Sequence, residues 1–460
     1  PFWAVPSLLR AMGEGYLLEV CWEDLRDIPC LRAAFEITAE DGGKTVYTVW
    51  LSEENQPVRG EITVEETLQV LRKKESMMEE QMLRRTWAEI DLDALRHNYE
   101  TLHAHTKAPL VGVVKADAYG HGAITLSREL EKLGVRYLAV SNLEEAKELR
   151  KAGIEAPILI LGYTPPEYVD QLIAHRITQA AAGERAAIAY SEAAQKCNGT
   201  LTVHIKVDTG MSRLGFPCTG NRFDEGVAAA RRVCALPNLS AEGIFTHFAV
   251  SDEPENGDCK AFTLGQYQLF RRFYAAVEEG GHTFALHHCA NSGASAFYPE
   301  MALDMVRPGI LLYGCGNGAV QLGLKPVMTL KTSVSDIRPL EEGRTVSYGR
   351  TYKVEAPAKM GVLPIGYADG FFRALSNQIR MFVKGDFVPQ RGRICMDMCM
   401  IDLSARPDVA VGDEVEVFGP HQRVDLLAET VGTIPYELTC AVSKRVPRLF
   451  FKNGQQVGSE

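Results

Sequence analysis

From about residue 86 onward, short apolar runs alternate with longer stretches of helical periodicity, and this alternation constrains the fold more than any other feature of the chain. Runs at 87–92, 111–114, 137–140, 157–161, 201–207, 243–248, 285–288 and 310–313 read as buried strands. Polar, helix-forming segments lie between them, such as the one carrying Glu144, Glu145, Lys147 and Glu148. Strands that are apolar throughout and separated by helices pair in parallel, because each crossover helix covers a face of the sheet. This set fits a (β/α)8 TIM barrel, with a doubly wound sheet as the alternative.

Beyond Gly323 the texture changes. Segments 327–334, 344–348, 359–363, 381–383, 393–403 and 414–417 are short, rich in β-formers and punctuated by glycine and proline. A helical pattern returns only at 424–431, and a strand-rich stretch is expected over 438–451. The reading is an α/β barrel over residues 83–323 followed by a mostly β C-terminal domain over 324–460. Residues 1–82 read as a small α+β appendage whose role no pattern indicates. Runs at 35–39 and 46–51 flank Asp41-Gly42-Gly43, a hairpin signal. Thr63 and Glu66 form a capping box that opens a charged helix through about Arg84. The chain opens on Pro1 rather than methionine, so its start is expected to be trimmed or to lie upstream. Met77, Met78 and Met82 lie just upstream of the first strand run at 87–92.

Composition narrows the function classes. A chain of 460 residues exceeds one core, and 46% hydrophobic with 23% charged residues is ordinary for a globular protein. A formal charge of −10 provides no basic footprint, so no nucleic-acid partner is expected. No apolar run reaches the length of a membrane span. The 11 cysteines are scattered, with no Cys-x-x-Cys and no histidine beside Cys395 and Cys399. They read as thiols of a reducing cytoplasm, with neither disulfides nor a metal site expected.

The chemistry is concentrated in a few motifs. Val111-Gly-Val-Val-Lys-Ala-Asp-Ala-Tyr-Gly-His-Gly122 places Lys115 at the carboxyl end of a buried strand, where an ammonium must be desolvated, shifted in pKa or used covalently. Lys206-Val-Asp-Thr-Gly-Met-Ser-Arg-Leu-Gly-Phe216, Thr246-His-Phe-Ala249, Asn291-Ser-Gly293 and Arg307-Pro-Gly-Ile310 follow in order. Val346-Ser-Tyr-Gly-Arg-Thr-Tyr352, Pro364-Ile-Gly-Tyr-Ala-Asp-Gly370, Arg393-Ile-Cys-Met-Asp-Met398 and Ile434-Pro-Tyr-Glu-Leu438 occupy the β-rich part. Taken singly, each tyrosine, histidine or arginine here is as readily a packing or surface residue.

Together, from about Thr86 to Phe451, these motifs resemble the bacterial alanine racemases. The resemblance implies pyridoxal 5′-phosphate on Lys115, with Tyr119, Asn291, Ser292, Gly309, Ile310 and Tyr436 around the phosphate. It puts Arg307 on the pyridine nitrogen, Arg213 on the phenolic oxygen and substrate carboxylate, and His247 beside the ring. Lys206 matches a lysine that is carbamylated in some relatives. It implies two catalytic bases, Lys115 and Tyr348, with Tyr348 reaching the site from the other subunit of a homodimer. Tyr367, Met396 and Asp397 match residues that line the substrate entrance.

The implied activity is interconversion of L- and D-alanine, supplying D-alanine for peptidoglycan. A serine or broader small amino-acid racemase is the alternative, although Tyr436 stands where serine racemases of the resistance type carry a smaller polar residue. A pyridoxal-phosphate decarboxylase of similar fold usually sets a glutamate near the ring nitrogen, where this chain has Arg307. A non-catalytic pyridoxal-phosphate carrier has no β-domain.

Overall fold

The computed structural model describes residues 85–460 throughout and, among the first 84, the backbone of four strands. Those four are β1 (Gly15–Leu25), β2 (Ile28–Thr38), β3 (Lys44–Ser52) and β4 (Pro57–Arg59), paired in chain order. β2 and β3 are antiparallel with Thr38 opposite Lys44, and the turn expected at residues 41–43 lies outside the described residues. The helix expected at 63–84 lies outside the described residues. Residues 85–458 make a second compact unit.

In that unit β5 (Thr86–Asp91) comes first, followed by β6 (Val111–Val113), β7 (Tyr137–Val140), β8 (Ile158–Ile160), β9 (Ile177–Ala181) and β10 (Leu201–Asp208). β11 (Phe216–Pro217), β12 (Leu239–Phe245) and β13 (Leu286–His288) complete the α/β part. β6, β7, β8, β9, β10, β12 and β13 run side by side, all parallel. The short segment 304–307 closes the ring. Its Val306 bonds to Pro109 and Val111, while Asp304 and Arg307 bond to the His287 and Ala290 carbonyls. The barrel of the sequence reading is therefore present, with its last stave reduced to a bridge.

Three strand assignments change. The run at 87–92 is not a barrel strand: β5 pairs with β14 (Met328–Ser333) and with the strand Arg448–Lys452 in the β-domain. Its partners are more than 200 residues away, and local pattern does not specify them. Its helix, Leu92–Thr106, is capped by Asp91, whose carboxylate accepts from the Asp93 and Ala94 amides at 2.9 Å. The run at 310–313 is a 3-10 turn, Gly309–Tyr313, buried on every side, so no periodicity separates it from a strand. β9 was hidden because Ile-Thr-Gln-Ala-Ala is small and polar, although all five residues are buried.

The β-domain contains β15 (Asp336–Leu340), β16 (Thr345–Val346), β17 (Tyr352–Lys353), β18 (Ala358–Leu363), β19 (Arg380–Val383), β20 (Asp386–Pro389), β21 (Cys399–Asp402), β22 (Glu414–Phe418), β23 (Arg448–Lys452) and β24 (Gln455–Ser459). A seven-stranded sheet runs β20-β19-β22-β14-β5-β23-β24, beside the smaller sheets β15-β18-β21 and β16-β17. The stretch 438–451 is less strand-rich than expected. It starts inside the helix Pro435–Ala441 and reaches β23 only at its end.

The segment after β6 sets the site. Ala116, Asp117, Ala118 and Tyr119 all have φ between 51° and 54°, a left-handed turn in four consecutive L-residues. Each such residue costs about 1–2 kcal/mol, because Cβ crowds the next carbonyl. Of the four only aspartate visits this region with some ease, and hydrogen bonds offset the cost. Glu145 accepts from the Ala116 amide at 2.8 Å, and the Asp117 carboxylate accepts from the Ala123 amide at 2.7 Å. Gly120 continues the turn at φ +82°, where a Cβ would lie 2.2 Å from the Thr439 carbonyl oxygen. The helix Pro435–Ala441 is thereby seated against the turn.

Candidate active site

Lys115 opens the left-handed turn at the carboxyl end of β6, the end where barrel strands present catalytic groups. Burial lowers its pKa, and the Arg213 guanidinium lowers it further, while Glu145 and Cys440 act in the opposite sense. The amine is thus easier to deprotonate than a surface lysine.

At the other end of the turn, Tyr119 is buried, and its ring meets those of Tyr313 at 5.2 Å and Tyr436 at 5.6 Å. Gly309 has φ +43° and faces a cradle. A Cβ there would lie 2.9 Å from Ser292 Oγ and 3.3 Å from the Tyr119 hydroxyl. The Tyr436 side chain lies beside Ser292, and Ser292 Oγ donates to the Pro308 carbonyl. Hydroxyls and the first amides of the turn Gly309–Tyr313 therefore converge on one small space, a donor set suited to a phosphate. Asn291 supports it from beneath as the cap of Ser292–Phe297, its side chain tied to Ser251, Ala294 and Phe248.

Arg307 is 4% exposed. Nη1 donates to His288 Nδ1 at 2.6 Å, and Nη2 donates to the Thr246 and Cys289 carbonyls at 2.7 and 3.2 Å; Nε takes no part in these bonds. Guanidinium only donates, so His288 Nδ1 is an acceptor and its Nε2 carries the proton. His288 Nε2 then donates to His204 Nδ1 at 3.0 Å, and His204 Nε2 donates to Glu242 at 3.2 Å. Glu242 also accepts from Tyr137 at 2.5 Å. Burial pushes the pKa of His288 far down and that of His204 down, which keeps both rings neutral. Burial lowers Arg307 to about 10, so it remains a cation near neutral pH.

Lys206 and His247 lie beside this arginine, and Arg213 acts on both of them. Lys206 is 7% exposed, lies over the Phe245 ring and is pushed down to about 7 by burial and then by Arg307. His247 is held well below its usual value by burial and by Arg307, Lys206, Arg213 and Lys115 in turn, so it is a neutral ring among cations. Arg213 is exposed on the loop after β10, which is shaped by Asp208 accepting from the Gly210 and Ser212 amides at 3.1 and 2.9 Å.

The remaining expected residues form a second group in the β-domain. Tyr348 is 72% exposed and lines a cavity of about 850 Å³ with Met396 and Asp397, whose lining contains no barrel residue. Tyr367 is 44% exposed, and its amide bonds to the Cys395 carbonyl at 3.0 Å, placing it beside the same loop. Asp397 is paired with Arg445 at 2.6 Å, and Arg445 pairs with buried Asp369 at 2.7 Å.

Comparison with known proteins gives this arrangement a family. The model of the alanine racemase N-terminal domain matches residues 90–317, and that of the alanine racemase C-terminal domain matches residues 327–450. The chain belongs to the alanine racemase family. Alanine racemase 1 of Clostridium acetobutylicum is 44% identical over 384 residues, covering 82% of this chain and 97% of that protein. The alanine racemase of Desulfovibrio desulfuricans is 43% identical, covering 80% and 98%. Among solved structures, alanine racemase of Clostridium difficile 630 is 37% identical with a TM-score of 0.76, covering 82% and 98%. The Bacillus anthracis alanine racemase with bound L-Ala-P is 32% identical with a TM-score of 0.73, covering 82% and 97%. The family uses pyridoxal phosphate and acts on alanine. No helix among the described residues is long and apolar enough to cross a membrane.

Sequence reasoning missed Glu145, His121, Tyr313 and the chain His288, His204, Glu242 and Tyr137. The pair His287-His288 at a strand end was the one available signal. β13 is only three residues long, too short for an alternation to show which histidine points inward.

Proposed function

We propose that this chain interconverts L- and D-alanine with pyridoxal 5′-phosphate carried on Lys115. The observation that carries the reading is the pairing of a partly buried lysine with a hydroxyl-lined phosphate cradle at opposite ends of one left-handed turn. When bound, the cofactor withdraws electrons from the amino acid and acidifies its α-hydrogen. Tyr119, Ser292, Tyr436 and the Gly309 and Ile310 amides hold its phosphate, with Asn291 fixing Ser292. Arg307 offers a permanent cation to the ring nitrogen and so opposes protonation there. His247 borders the ring. Arg213 takes the substrate carboxylate, since its planar fork donates two parallel bonds.

Lys115 moves a proton on one face of the α-carbon and Tyr348 of the partner subunit on the other, so the configuration inverts without turning the substrate. Met396, Asp397 and Tyr367 shape the entrance across a homodimer with shared sites. Lys206, with a pKa of about 7, is partly a free amine at neutral pH. As a carbamate it would place an anion among Arg307, Arg213 and His247. The product serves peptidoglycan synthesis in the cytoplasm, with no nucleic-acid or membrane partner.

The test is chemical labelling. Borohydride reduction of the loaded protein should abolish its visible absorbance and fix the cofactor on the Lys115 peptide. Lys115→Ala should lose that label and racemase turnover by roughly 100- to 10,000-fold or more. A label on another lysine, or normal turnover without Lys115, would overturn the assignment.

A further inference from the structure

His121 has no place in the chemistry above, yet its surroundings are unusually specific. The side chain is fully buried, and Nδ1 lies 2.9 Å from the Ala118 carbonyl oxygen and 3.0 Å from that of Tyr119. Carbonyls only accept, so Nδ1 carries the proton and donates to both. Nε2 is buried without a partner. A protonated ring would leave that nitrogen's N–H unsatisfied as well as burying a charge. Burial accordingly pushes the group down to about 4.

The two carbonyls belong to the left-handed turn, in residues whose backbone an L-amino acid seldom adopts. The imidazole also stacks on Tyr313 at 4.5 Å and 27°. Tyr313 donates its hydroxyl to the Val113 carbonyl at 2.7 Å, two residues before Lys115, and its ring meets that of Tyr119. One side chain therefore touches the far end of the turn directly and the near end through Tyr313.

The geometry points to His121 as the positioning residue that holds the left-handed turn, and with it the spacing between the Lys115 amine and the Tyr119 hydroxyl. This rests on the reading that one cofactor spans those two groups. A cofactor bonded covalently at one end and by its phosphate at the other tolerates little change in that span. The imidazole is suited to the task because it combines an edge donor with a flat stacking face. Phenylalanine keeps the face and loses the donor. Asparagine returns an N–H near the Nδ1 position and loses the face.

Full-length His121→Phe and His121→Asn are to be compared with the unaltered chain. The readouts are the affinity of the apo-protein for pyridoxal phosphate and amide hydrogen exchange over residues 116–122. Loss of a shared donor in His121→Phe should weaken cofactor binding by about ten-fold or more and speed exchange in that segment. His121→Asn should recover a substantial part of both. Unaltered affinity and exchange in His121→Phe would overturn the inference, as would an His121→Asn no better than His121→Phe. If the variants fail to fold, nitrogen-15 histidine spectra of the unaltered chain decide. A neutral Nδ1–H ring supports the inference; an Nε2–H or protonated ring overturns it. Failure of the unaltered chain to fix the cofactor on Lys115 would instead sink the cofactor reading, while exchange and tautomer still judge His121.

Discussion

Arg307 is a cation in a place that penalises charge, and its bonds explain how it stays one. Two carbonyls and a neutral imidazole accept from its terminal nitrogens, and burial lowers it only to about 10. The chain of donors runs one way, to Glu242, whose pKa is lowered first by the His204 bond. On the proposed reading, Arg307 would set a fixed cation opposite the ring nitrogen, limiting how strongly the ring could draw electrons and favouring return of the proton to the carbon it left. Arg307→Glu reverses that sign. Racemisation should slow, and keto acid from transamination should be formed beside racemised alanine, as read by chiral product analysis and a keto-acid assay on protein shown to be folded. Unchanged product purity would separate Arg307 from the ring. At this scale the sequence was most legible where motifs carry chemistry, as with Lys115, Tyr119, Ser292 and Arg307. It was silent on His204 and Glu242, because their partners are brought together only by adjacent barrel strands.

Elements are positioned here by backbone contacts that leave no room for a side chain. Gly120 is the sharpest case, with its hydrogen aimed at the Thr439 carbonyl and its φ at +82°. Gly120→Ala should cost at least about 1–2 kcal/mol from the conformation alone, with the clash added to it. Denaturant unfolding would measure that loss, and cofactor retention should fall with it, since the turn from Lys115 to Tyr119 ends there. A stability equal to the unaltered chain would show that the helix Pro435–Ala441 can retreat at no cost. Element types were readable where patterns were strong, as in β7, β8, β18 and β22. They failed at Gly309–Tyr313, where burial on all sides erases periodicity, and at β9, whose small polar residues face a packed interior.

At the scale of the molecule, β5 makes the boundary between barrel and β-domain a matter of topology rather than sequence order, since the first strand after residue 85 completes the last sheet. Every proposed site residue lies after residue 110, and the family models begin at residue 90. A chain of residues 85–460 should therefore fold and racemise with unchanged kcat/KM; failure to bind cofactor when folded would give the first 84 residues a part in the site.

The second prediction at this scale concerns how the site is completed. Tyr348 is 72% exposed, Met396 54% and Met398 52%, an apolar group around a cavity that no barrel residue lines. An apolar group so exposed calls for a covering surface, and the barrel end, where Arg307, Arg213 and Lys115 are gathered, calls for a second base. Both needs are met if the β-domain of one protomer covers the barrel of its partner, and a two-fold axis then makes two equal sites. Lys115→Ala and Tyr348→Phe should each be crippled alone. Mixed and allowed to exchange subunits, they form heterodimers in which one site has lost both bases and the other has kept both. Half of the dimers being mixed, recovered activity should approach roughly a quarter of the unaltered value. Activity that stays at the level of the parent variants, despite subunit exchange shown by mass spectrometry, would mean that each chain supplies both bases to its own site. The exposure of Tyr348 would then need a closing motion within one protomer.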